Sequence, residues 1–380
     1  MSERRRKICY VSGTRADFGL MQATLQAIAS DSGLDLDVVA TGMHLSQRFG
    51  MTVDEIVASG LTVAERIPVD IEVATGAAMA RNLAKTLSGC VAAFERLGPD
   101  LVLLLGDRGE MLAAALAAIH LNIPVAHIHG GERSGTVDEP VRHAISKLSH
   151  YHFVTSENAR QRLVRMGERE EHVFVTGAPG LDGVRELASL DRATLCSEVD
   201  FDPNGKLALL VYHPVLQEAD NAPDQAKALI EACLSRNIQL IALMPNSDAG
   251  SEGVRKVLDA FSGHPKVRVR THLPRQVFIS WMASSDLMIG NSSSGIIEAA
   301  SFGTPVINVG LRQNLRERNL NVIDSPPEIR AVSAAIDSAM KHGRYPIENI
   351  YGDGQAGRRI VELLRSLELK GDVLLKTNTY

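Results

Sequence analysis

Short apolar runs alternate with amphipathic segments along almost the whole chain, and this alternation constrains the fold more than any other feature. Short apolar runs bounded by Gly, Pro, Asp or Asn are typical of buried strands, and apolar residues spaced three and four apart are typical of helices. Helical spacing occurs at 108–122, 157–167 and 274–285. The predicted strands are KICYVSG, DLDVVATG, DLVLLLGD, IPVAHIHGG, YHFVTS, HVFVTG, LALLVYHP, IQLIALMP, KVRVRTHL, DLMIG and TPVINVG. Strands that alternate with helices form parallel βαβ units, so the sequence predicts an α/β protein.

The predicted strands fall into two groups. A chain of 380 residues, 45% of them hydrophobic, is long enough for two domains of about 150 residues each. The stretch TGAPGLDGVRELASLDR at 176–192 begins with turn-forming residues and separates the first six runs from the last five. We therefore predict two doubly wound domains, with ligands bound outside the carboxyl ends of the strands.

Composition excludes several classes of function. The formal net charge of −5 provides no general basic field for a polyanion, so we expect no nucleic-acid partner. No apolar run approaches the roughly 18 residues of a membrane span, and the apolar stretch after RRRK at 4–7 is too short for a secretory signal. The four cysteines lack metal-ligand spacing. We therefore expect a cytoplasmic protein that neither enters a membrane nor binds a metal.

Polar residues follow the predicted strands in both halves of the chain. They are Arg15, His44, Asp107, His129, Glu132, His213, Asn246, His272 and Ser292–Ser294. Loops after strands are polar in most proteins, and this explanation is open for any one of these residues. Their joint occurrence in two domains favours a binding cleft between the domains.

The segment GNSSSGIIE at 290–298 places three hydroxyl side chains between a predicted strand and a predicted helix. Free N–H groups and the helix dipole make a helix N-terminus an anion site, most often for phosphate. Ser292–Ser294 add donors without charge, Gly290 and Gly295 let a ligand approach the backbone, and Glu298 offers two acceptor oxygens for a ribose diol. The alternative is capping by a single serine, with Glu298 complementing the dipole.

The turn after the first strand, SGTRADFG, lacks the dinucleotide-binding and P-loop fingerprints, so we expect no NAD cofactor. Arg15 in this turn is a fixed cation that could meet a diphosphate held by the second domain. Alternatively, Arg15 is a surface residue that pairs with Asp17.

Acidic residues cluster between two predicted strands of the first domain. Asp107 ends one strand, Glu132 follows the next, and Asp138 opens a helix that carries Arg142. Carboxylates forced together in a cleft take different pKa values and can act as acid and base. The alternatives are structural: Asp138 caps its helix and pairs with Arg142, and Asp107 anchors a turn.

Five segments together resemble a known family. They are YVSGTRADFGLM, TGMHLSQRFG, GDRGE, HIHGGERSGTVDEPVRHAISKLSH and IGNSSSGIIEA, and the similarity extends over nearly the whole chain. The chain resembles the hydrolysing UDP-N-acetylglucosamine 2-epimerases of bacterial sialic acid biosynthesis. Non-hydrolysing 2-epimerases share the serine loop but carry a segment of the H-V-E-A-G-L-R type followed by P-E-E-x-x-R.

The resemblance implies two Rossmann-like domains of the glycosyltransferase-B type that face a cleft. The C-terminal helix is expected to return to the first domain, which then covers residues 1–178 plus 355–380. The second domain, residues 179–354, is expected to hold UDP. The resemblance further implies a UDP-sugar substrate, no cofactor, and the products UDP and N-acetylmannosamine. We also expect a homodimer or a larger homo-oligomer.

The family's functional residues match particular positions of this chain. Arg15, His213, Ser292–Ser294 and Glu298 resemble the nucleotide-binding set, and Asp107 and Asp138 resemble catalytic carboxylates. Some relatives have a catalytic glutamate at the position of His129, so the third catalytic group is either His129 or Glu132. The remaining expected contacts with the UDP-sugar are His44, Arg142, Asn246, His272 and Gly295, and His213 is a further catalytic candidate.

The expected chemistry explains the serine loop. The C2 hydrogen of a 2-acetamido sugar has no carbonyl beside it, so the C1–O bond to UDP must break first and give C1 oxocarbenium character. The serine loop, Arg15 and His213 are then expected to stabilise the departing diphosphate. Loss of the C2 proton gives 2-acetamidoglucal, and water addition gives the manno product. The alternatives are a UDP-N,N′-diacetylbacillosamine 2-epimerase, a non-hydrolysing epimerase, a glycosyltransferase and a nucleotide-sugar sensor without turnover.

Overall fold

The chain folds into two parallel sheets. The computed structural model describes residues 4–379, and all strand pairs in this part of the chain are parallel. The first sheet contains β1 (Arg6–Ser12), β2 (Leu34–Thr41), β3 (Val63–Ile67), β4 (Leu101–Leu105), β5 (Val125–Ile128), β6 (Tyr151–Val154) and β7 (Val173–Val175), in the order β3-β2-β1-β4-β5-β6-β7. The second contains β8 (Leu207–Val211), β9 (Gln239–Leu243), β10 (Val267–Arg270), β11 (Leu287–Gly290), β12 (Val306–Val309) and β13 (Val322–Ser325), in the order β10-β9-β8-β11-β12-β13.

Helices connect the strands. They are α1 (Arg15–Ser30), α2 (Val53–Ala58), α3 (Gly76–Leu97), α4 (Gly109–His120), α5 (Asp138–Leu148), α6 (Glu157–Arg165), α7 (Val184–Leu187), α8 (Arg192–Ser197), α9 (Ala222–Leu234), α10 (Ser251–Phe261), α11 (Arg275–Ser284), α12 (Ser293–Ile297), α13 (Ile329–His342) and α14 (Ala356–Ser366). Short 3-10 helices lie at Gly42–Leu45, Gln47–Phe49, Glu170–His172, Pro179–Leu181, Leu216–Glu218, Ala299–Phe302 and Gly371–Leu374. Across residues 4–379, no helix is both long and apolar enough to cross a bilayer.

Side chains of each strand alternate between two helical layers. In β1, Ile8 and Tyr10 pack in the core that contains α1 and α14. Cys9 and Val11 point to the opposite face, where they pack with α3 and α4. A strand that is buried on both faces must be apolar at every position. This requirement explains why the central strands were visible in the sequence as continuous apolar runs.

Each of the eleven predicted runs contains a strand, but the sequence did not predict β3 and β13. Each of these two strands pairs with one neighbour and forms an edge of its sheet. Most of the residues of VAERI in β3 and VIDS in β13 are not fully buried. Edge strands tolerate polar residues, and the apolar run that would reveal a strand is therefore absent.

The order of strands reverses at one place in each sheet. The reversal lies between β1 and β4 in the first sheet and between β8 and β11 in the second. Arg15 and Asp107 come just after β1 and β4, whereas His213 and Ser292 come just after β8 and β11. Ligands of open parallel sheets bind at such reversals, outside the carboxyl ends of the strands.

The chain crosses between the two sheets twice, and the two crossings touch each other. The N–H of Ala178 donates to the carbonyl of Tyr351 at 2.8 Å, and the Asp182 carboxylate accepts from the N–H of Ala356 at 2.9 Å. The second crossing leads to α14, whose apolar side chains enter the core of the first domain. We keep residue 179 as the proposed domain boundary, because it lies within the first crossing.

Candidate active site

A cleft of about 540 Å³ lies between the two domains. The first domain lines it with Arg15, Asp107, His129, Asp138 and Arg142, and the second with His213, Asn246, His272, Ser292–Ser294 and Glu298. The predicted site residues that do not line it are His44, Glu132 and Gly295. The structure thus brings most of the predicted residues to one place, from loops far apart in sequence.

The serine loop presents hydroxyls to the cleft while one serine caps a helix. Ser292 is the N-cap of α12, and its Oγ accepts the N–H of Ser294 at 3.3 Å. The hydroxyls of Ser292 and Ser294 lie 2.8 Å apart, and all three serines line the cleft. Because α12 has only five residues, few peptide dipoles add up along it. We infer that hydroxyls contribute more than the dipole to an anion site here.

The two glycines of this loop were predicted to let a ligand approach the backbone, but in the structure both pack against neighbouring strands. Gly290 has a φ of 134°, and a Cβ there would lie 2.0 Å from the carbonyl oxygen of Val211. A Cβ on Gly295 would lie 2.9 Å from a methyl carbon of Val306. Both glycines therefore allow close packing inside the second domain. The structure does not support the predicted approach of a ligand at Gly295.

Glu298 follows α12 at its C-terminal end, where a negative charge does not complement the helix dipole. Its side chain is 1% exposed and forms an ion pair with Arg275. Arg275 also donates to the carbonyl of Gly180 at 3.0 Å. Glu298 is therefore a carboxylate held in a fixed position at the cleft wall.

Arg15 is not paired with Asp17. The Nε of Arg15 donates to Glu55 at 2.8 Å, whereas Asp17 accepts the N–H groups of Gly13 and Thr14 at 3.0 and 2.7 Å. The Nη2 of Arg15 is buried and has no hydrogen-bond partner within residues 4–379. Within these residues only the Nε of Arg15 is hydrogen-bonded, so both Nη groups are left for a ligand in the cleft that Arg15 lines.

His213 presents a hydrogen-bond donor. Its Nδ1 accepts the backbone N–H of Asn246 at 3.3 Å. Burial and the nearby Arg312 lower the pKa of His213 to about 3, so the ring is neutral near pH 7. A neutral imidazole whose Nδ1 is an acceptor carries its proton on Nε2.

Asp107 is held by arginines rather than by a turn. Its carboxylate forms an ion pair with the buried Arg142, which also donates to the carbonyl of Glu132 at 3.0 Å. Burial opposes the ionisation of Asp107, but Arg142, Arg316 and Arg312 outweigh it and hold the pKa of Asp107 below its ordinary value. Asp107 therefore remains ionised.

Asp138 has a different environment from Asp107. It is the first residue of α5, which has no side-chain cap hydrogen bond, and it lies 3.6 Å from Arg312 of the second domain. Burial and the nearby Asp107 carboxylate raise the pKa of Asp138 to about 6. The two aspartates therefore titrate in different pH ranges, an arrangement that suits acid–base chemistry.

His129, rather than Glu132, lines the cleft. His129 has a φ of 64°, which is uncommon for a residue other than glycine. Its Nδ1 lies 3.0 Å from Glu132, which also accepts the hydroxyl of Thr155 at 2.9 Å and pairs with Arg316. Burial and Arg316 lower the pKa of His129 to about 3, so a neutral ring donates from Nδ1 to the carboxylate. Its Nε2 keeps a lone pair and has no partner within residues 4–379.

The structure does not support the predicted contact of His44 with the substrate. His44 is fully buried, and its two ring nitrogens lie 2.8 Å from the hydroxyls of Ser12 and Thr52. Burial lowers the pKa of His44 to about 4, so it is neutral. The ring supports the turn that carries Arg15.

Comparison with known proteins identifies the family. The sequence profile of the family described as UDP-N-acetylglucosamine 2-epimerase matches residues 26–365. The chain belongs to this family. A relative from Legionella pneumophila, UDP-N,N′-diacetylbacillosamine 2-epimerase (hydrolyzing), is 51% identical over 375 residues, which cover 99% of this chain and 100% of that protein. The UDP-N-acetylglucosamine 2-epimerase of Neisseria meningitidis is 32% identical over 371 residues, or 96% of each chain.

Solved structures of 2-epimerases share the fold. The UDP-GlcNAc 2-epimerase of Neisseria meningitidis bound to UDP-GlcNAc superposes with a TM-score of 0.80 at 21% identity, covering 94% of this chain and 99% of that one. The enzyme of Methanocaldococcus jannaschii in complex with UDP-GlcNAc and UDP gives the same values. The predicted two-domain, glycosyltransferase-B-type fold is confirmed. The relatives confirm the epimerase family but do not single out sialic acid biosynthesis.

The sequence analysis of this 2-epimerase family member did not predict three arginines of the cleft. Arg275, Arg312 and Arg316 all line the cleft and contact acidic site residues. Arg275 follows β10, and the other two follow β12 in the segment GLRQNLRER. The rule that site residues follow strands would have found them, had it been applied to every arginine.

Proposed function

We propose that this chain is a hydrolysing 2-epimerase that releases UDP from a UDP-linked 2-acetamido sugar, and that its substrate is UDP-N,N′-diacetylbacillosamine. The observation that carries the proposal is a cleft in which neutral donors of one domain face two aspartates with separated pKa values in the other. The 51% identity to the Legionella pneumophila enzyme, over its full length, supports the substrate. UDP-N-acetylglucosamine, expected from the first resemblance, becomes the second candidate, supported by the more distant Neisseria meningitidis relative.

In this proposal the second domain stabilises UDP as it leaves. The serine loop 292–294 and the Nε2–H of His213 are uncharged donors, and the free Nη2 of Arg15 approaches from the first domain. Donors that are fixed before the reaction stabilise the negative charge that develops as the C1–O bond breaks. Glu298, held by Arg275, accepts hydrogen bonds from the ribose hydroxyls.

The aspartates act on the sugar. As the C1–O bond breaks, positive charge develops at C1 and the C2 hydrogen becomes acidic. Asp138 is the stronger base, because its pKa is raised to about 6 whereas Arg142 holds Asp107 in its ionised form. We therefore assign removal of the C2 proton to Asp138 and stabilisation of the charge at C1 to Asp107. This half-reaction yields UDP and 2-acetamidoglucal or its 4-acetamido equivalent.

The second half-reaction adds water across the C1–C2 double bond. The free Nε2 of His129 accepts a hydrogen bond from that water, and Glu132 keeps the ring in the required tautomer. The hydroxyl adds to C1, and a proton adds to C2 on the face opposite to the one it left. The product therefore has the manno configuration.

Three apolar side chains of the cleft support the substrate proposal. In N,N′-diacetylbacillosamine C4 carries an acetamido group and C6 is a methyl group, whereas N-acetylglucosamine carries a hydroxyl group on each of these carbons. Val73 and Met79 of the first domain and Leu216 of the second line the cleft, with between a third and a little over half of their surface exposed. Apolar side chains that line a pocket favour contact with apolar groups of a ligand. In this proposal they contact the C6 methyl group and the methyl of the C4 acetamido group.

The test is to measure UDP release from both sugar nucleotides in parallel. We expect kcat/KM to be about 10-fold or more higher for UDP-N,N′-diacetylbacillosamine, the scale of discrimination that one apolar group provides. In heavy water the released sugar should carry one deuterium at C2, and oxygen from labelled water should appear at C1 of the sugar and not in UDP.

Other outcomes distinguish the alternatives. A higher kcat/KM for UDP-N-acetylglucosamine reverses the substrate assignment, and released sugar without C2 deuterium contradicts elimination. UDP release only with an added acceptor sugar indicates a glycosyltransferase. A product that keeps its UDP indicates a non-hydrolysing epimerase, and binding without turnover indicates a sensor.

A further inference from the structure

A segment of the second domain reaches across the cleft into the acidic groups of the first. This segment, residues 311–318, follows β12 and is called the arginine loop below. Arg316 of this loop has a side chain only 7% exposed, forms an ion pair with Glu132 and lies 4.0 Å from Asp107. Arg312 lies 3.6 Å from Asp138. The second domain therefore contributes directly to the electrostatics of the first-domain wall.

The charges in this cluster balance only when both domains contribute. The carboxylates are Asp107, Glu132 and Asp138, and the guanidiniums that contact them are Arg142, Arg312 and Arg316. Only Arg142 belongs to the first domain. Opening of the cleft would withdraw two of the three positive charges from these carboxylates and would expose Glu132 to water. The electrostatics of the first-domain wall therefore depend on contact with the second domain.

Arg316 also controls which way Glu132 points. One carboxylate oxygen of Glu132 binds Nδ1 of His129 and the hydroxyl of Thr155, and the other oxygen contacts Arg316. One oxygen is thus hydrogen-bonded and the other faces the Arg316 guanidinium, and this pairing favours one orientation of the carboxylate. His129 then donates from Nδ1 and keeps its Nε2 lone pair free for the cleft.

We propose that Arg316 is a positioning residue, which completes the His129–Glu132 pair only when the second domain closes on the first. The kinetic part of this inference rests on the proposed function, whereas the state of the His129 ring does not. The second domain would then take part in the acid–base chemistry as well as in nucleotide binding. An enzyme with an open cleft would bind UDP-sugar before the water site is aligned. Water would therefore be held for attack only after the cleft has closed on the substrate.

The variants compare two arginines of the second domain. Arg316→Gln removes the charge that contacts Glu132. Arg236→Gln is the control, because Arg236 pairs with the exposed Asp337 at 2.7 Å and does not line the cleft. We expect Arg316→Gln to lower kcat by about 10²-fold, the scale for loss of an oriented acid–base group. UDP affinity in Arg316→Gln, and both quantities in Arg236→Gln, should change by less than about threefold.

A second measurement does not depend on turnover. In UDP-saturated protein labelled with ¹⁵N at histidine, the His129 signals, assigned by comparison with His129→Gln, should show the Nδ1–H tautomer in the wild type. Arg316→Gln should show a mixture of tautomers, and Arg316→Lys a smaller change in the same direction. If Arg316→Gln does not fold, kcat and the His129 tautomer are measured in Arg316→Lys instead.

Two results would overturn the proposal. One is an unchanged His129 tautomer in the folded Arg316 variant. The other is an active wild type in which Arg316→Gln lowers kcat by less than about threefold, or weakens UDP binding in proportion to kcat. A wild type that releases no UDP from either sugar nucleotide contradicts the proposed function, and the tautomer measurement still decides the role of Arg316.

Discussion

The two walls of the cleft lie at the same topological position of two similar sheets, yet they carry opposite chemistry. His213 on one wall and His129 on the other are both neutral, because burial lowers the pKa of each to about 3. A backbone N–H on Nδ1 makes His213 a donor at Nε2. A carboxylate on Nδ1 makes His129 an acceptor at Nε2. The partner on the hidden side of each ring therefore decides its role.

The same contrast extends to the other groups of each wall. The second-domain wall presents hydroxyls, and its buried carboxylate Glu298 is matched by Arg275. On the first-domain wall, Arg142, Arg316 and Arg312 lower the pKa of Asp107, whereas burial and the nearby Asp107 carboxylate raise the pKa of Asp138. We infer that the second domain provides most of the nucleotide contacts and that the first provides the reacting carboxylates, which Arg312 and Arg316 of the second domain help to hold. The predictions below test this division, from the largest expected effect to the smallest.

Removal of a reactive carboxylate should give the largest difference between the effect on kcat and the effect on UDP affinity. Asp107→Asn and Asp138→Asn keep the shape of the side chain but lose the carboxylate, so we expect each to lower kcat by at least ~10²-fold. UDP affinity, measured by calorimetry, should stay within about threefold of the wild type. Near-normal rates in both variants would mean that the aspartates are structural.

The opposite wall should show the opposite pattern. Glu298→Ala removes the proposed ribose acceptor and should weaken UDP binding by ~1–3 kcal/mol, or about 5- to 150-fold. At saturating substrate, kcat should fall far less than in the aspartate variants. Asp337→Ala, which removes an exposed ion pair with Arg236 in the same domain, is the control. Unchanged UDP affinity in folded Glu298→Ala protein contradicts the ribose assignment.

The two walls should also differ in their response to pH. Asp138 has a raised pKa of about 6, so its carboxylate is ionised above pH 6 and becomes protonated as the pH falls through 6. If Asp138 is the base, kcat should fall about tenfold per pH unit below 6. KM for the sugar nucleotide should change little between pH 5.5 and 7, because the pKa of His213 is lowered to about 3 and a sugar-linked diphosphate has no terminal phosphate that titrates near 6. A kcat that rises as the pH falls below 6 would make Asp138 an acid instead.

The smallest effects should separate two neighbouring serines. Ser294→Ala should weaken UDP binding by ~0.5–1.5 kcal/mol, the range for a single hydrogen bond. Ser292→Ala should mainly lower the unfolding temperature, because loss of an N-cap costs ~0.5–2 kcal/mol. Calorimetry and thermal unfolding of both variants provide the comparison. The reverse pattern would show that Ser292, and not Ser294, is the ligand contact.

The position of the cleft was predictable from the sequence, because central strands must be apolar and the residues that follow them line the cleft. This rule found Arg15, Asp107 and His213. It failed for His44, which also follows a strand but turns inward to bind Ser12 and Thr52. Periodicity alone does not show which way a side chain in an irregular loop will point.

The roles of individual groups were less predictable. The third catalytic group is whichever of His129 and Glu132 lies at the cleft surface, with the other farther from the cleft. The sequence contains no signal that distinguishes these two arrangements. The position of Arg316 after β12 is enough to predict a cleft residue, but its role was not predictable, because its partner Glu132 lies 184 positions earlier, in the other domain. Contacts across the cleft require a knowledge of how the two sheets face each other, which local patterns do not provide.

The helix at the end of the chain has a consequence for synthesis in the cell. Ile360 and Leu364 of α14 are fully buried in the core of the first sheet, although about 180 residues separate this helix from the sheet's last strand. At about 5–20 residues per second, a ribosome needs roughly 10–40 s to make that interval. During this time the nascent first domain exposes the apolar surface of α1 that α14 later covers. The domain that is made first is therefore completed last, and a chaperone that shields this surface would act before release of the chain.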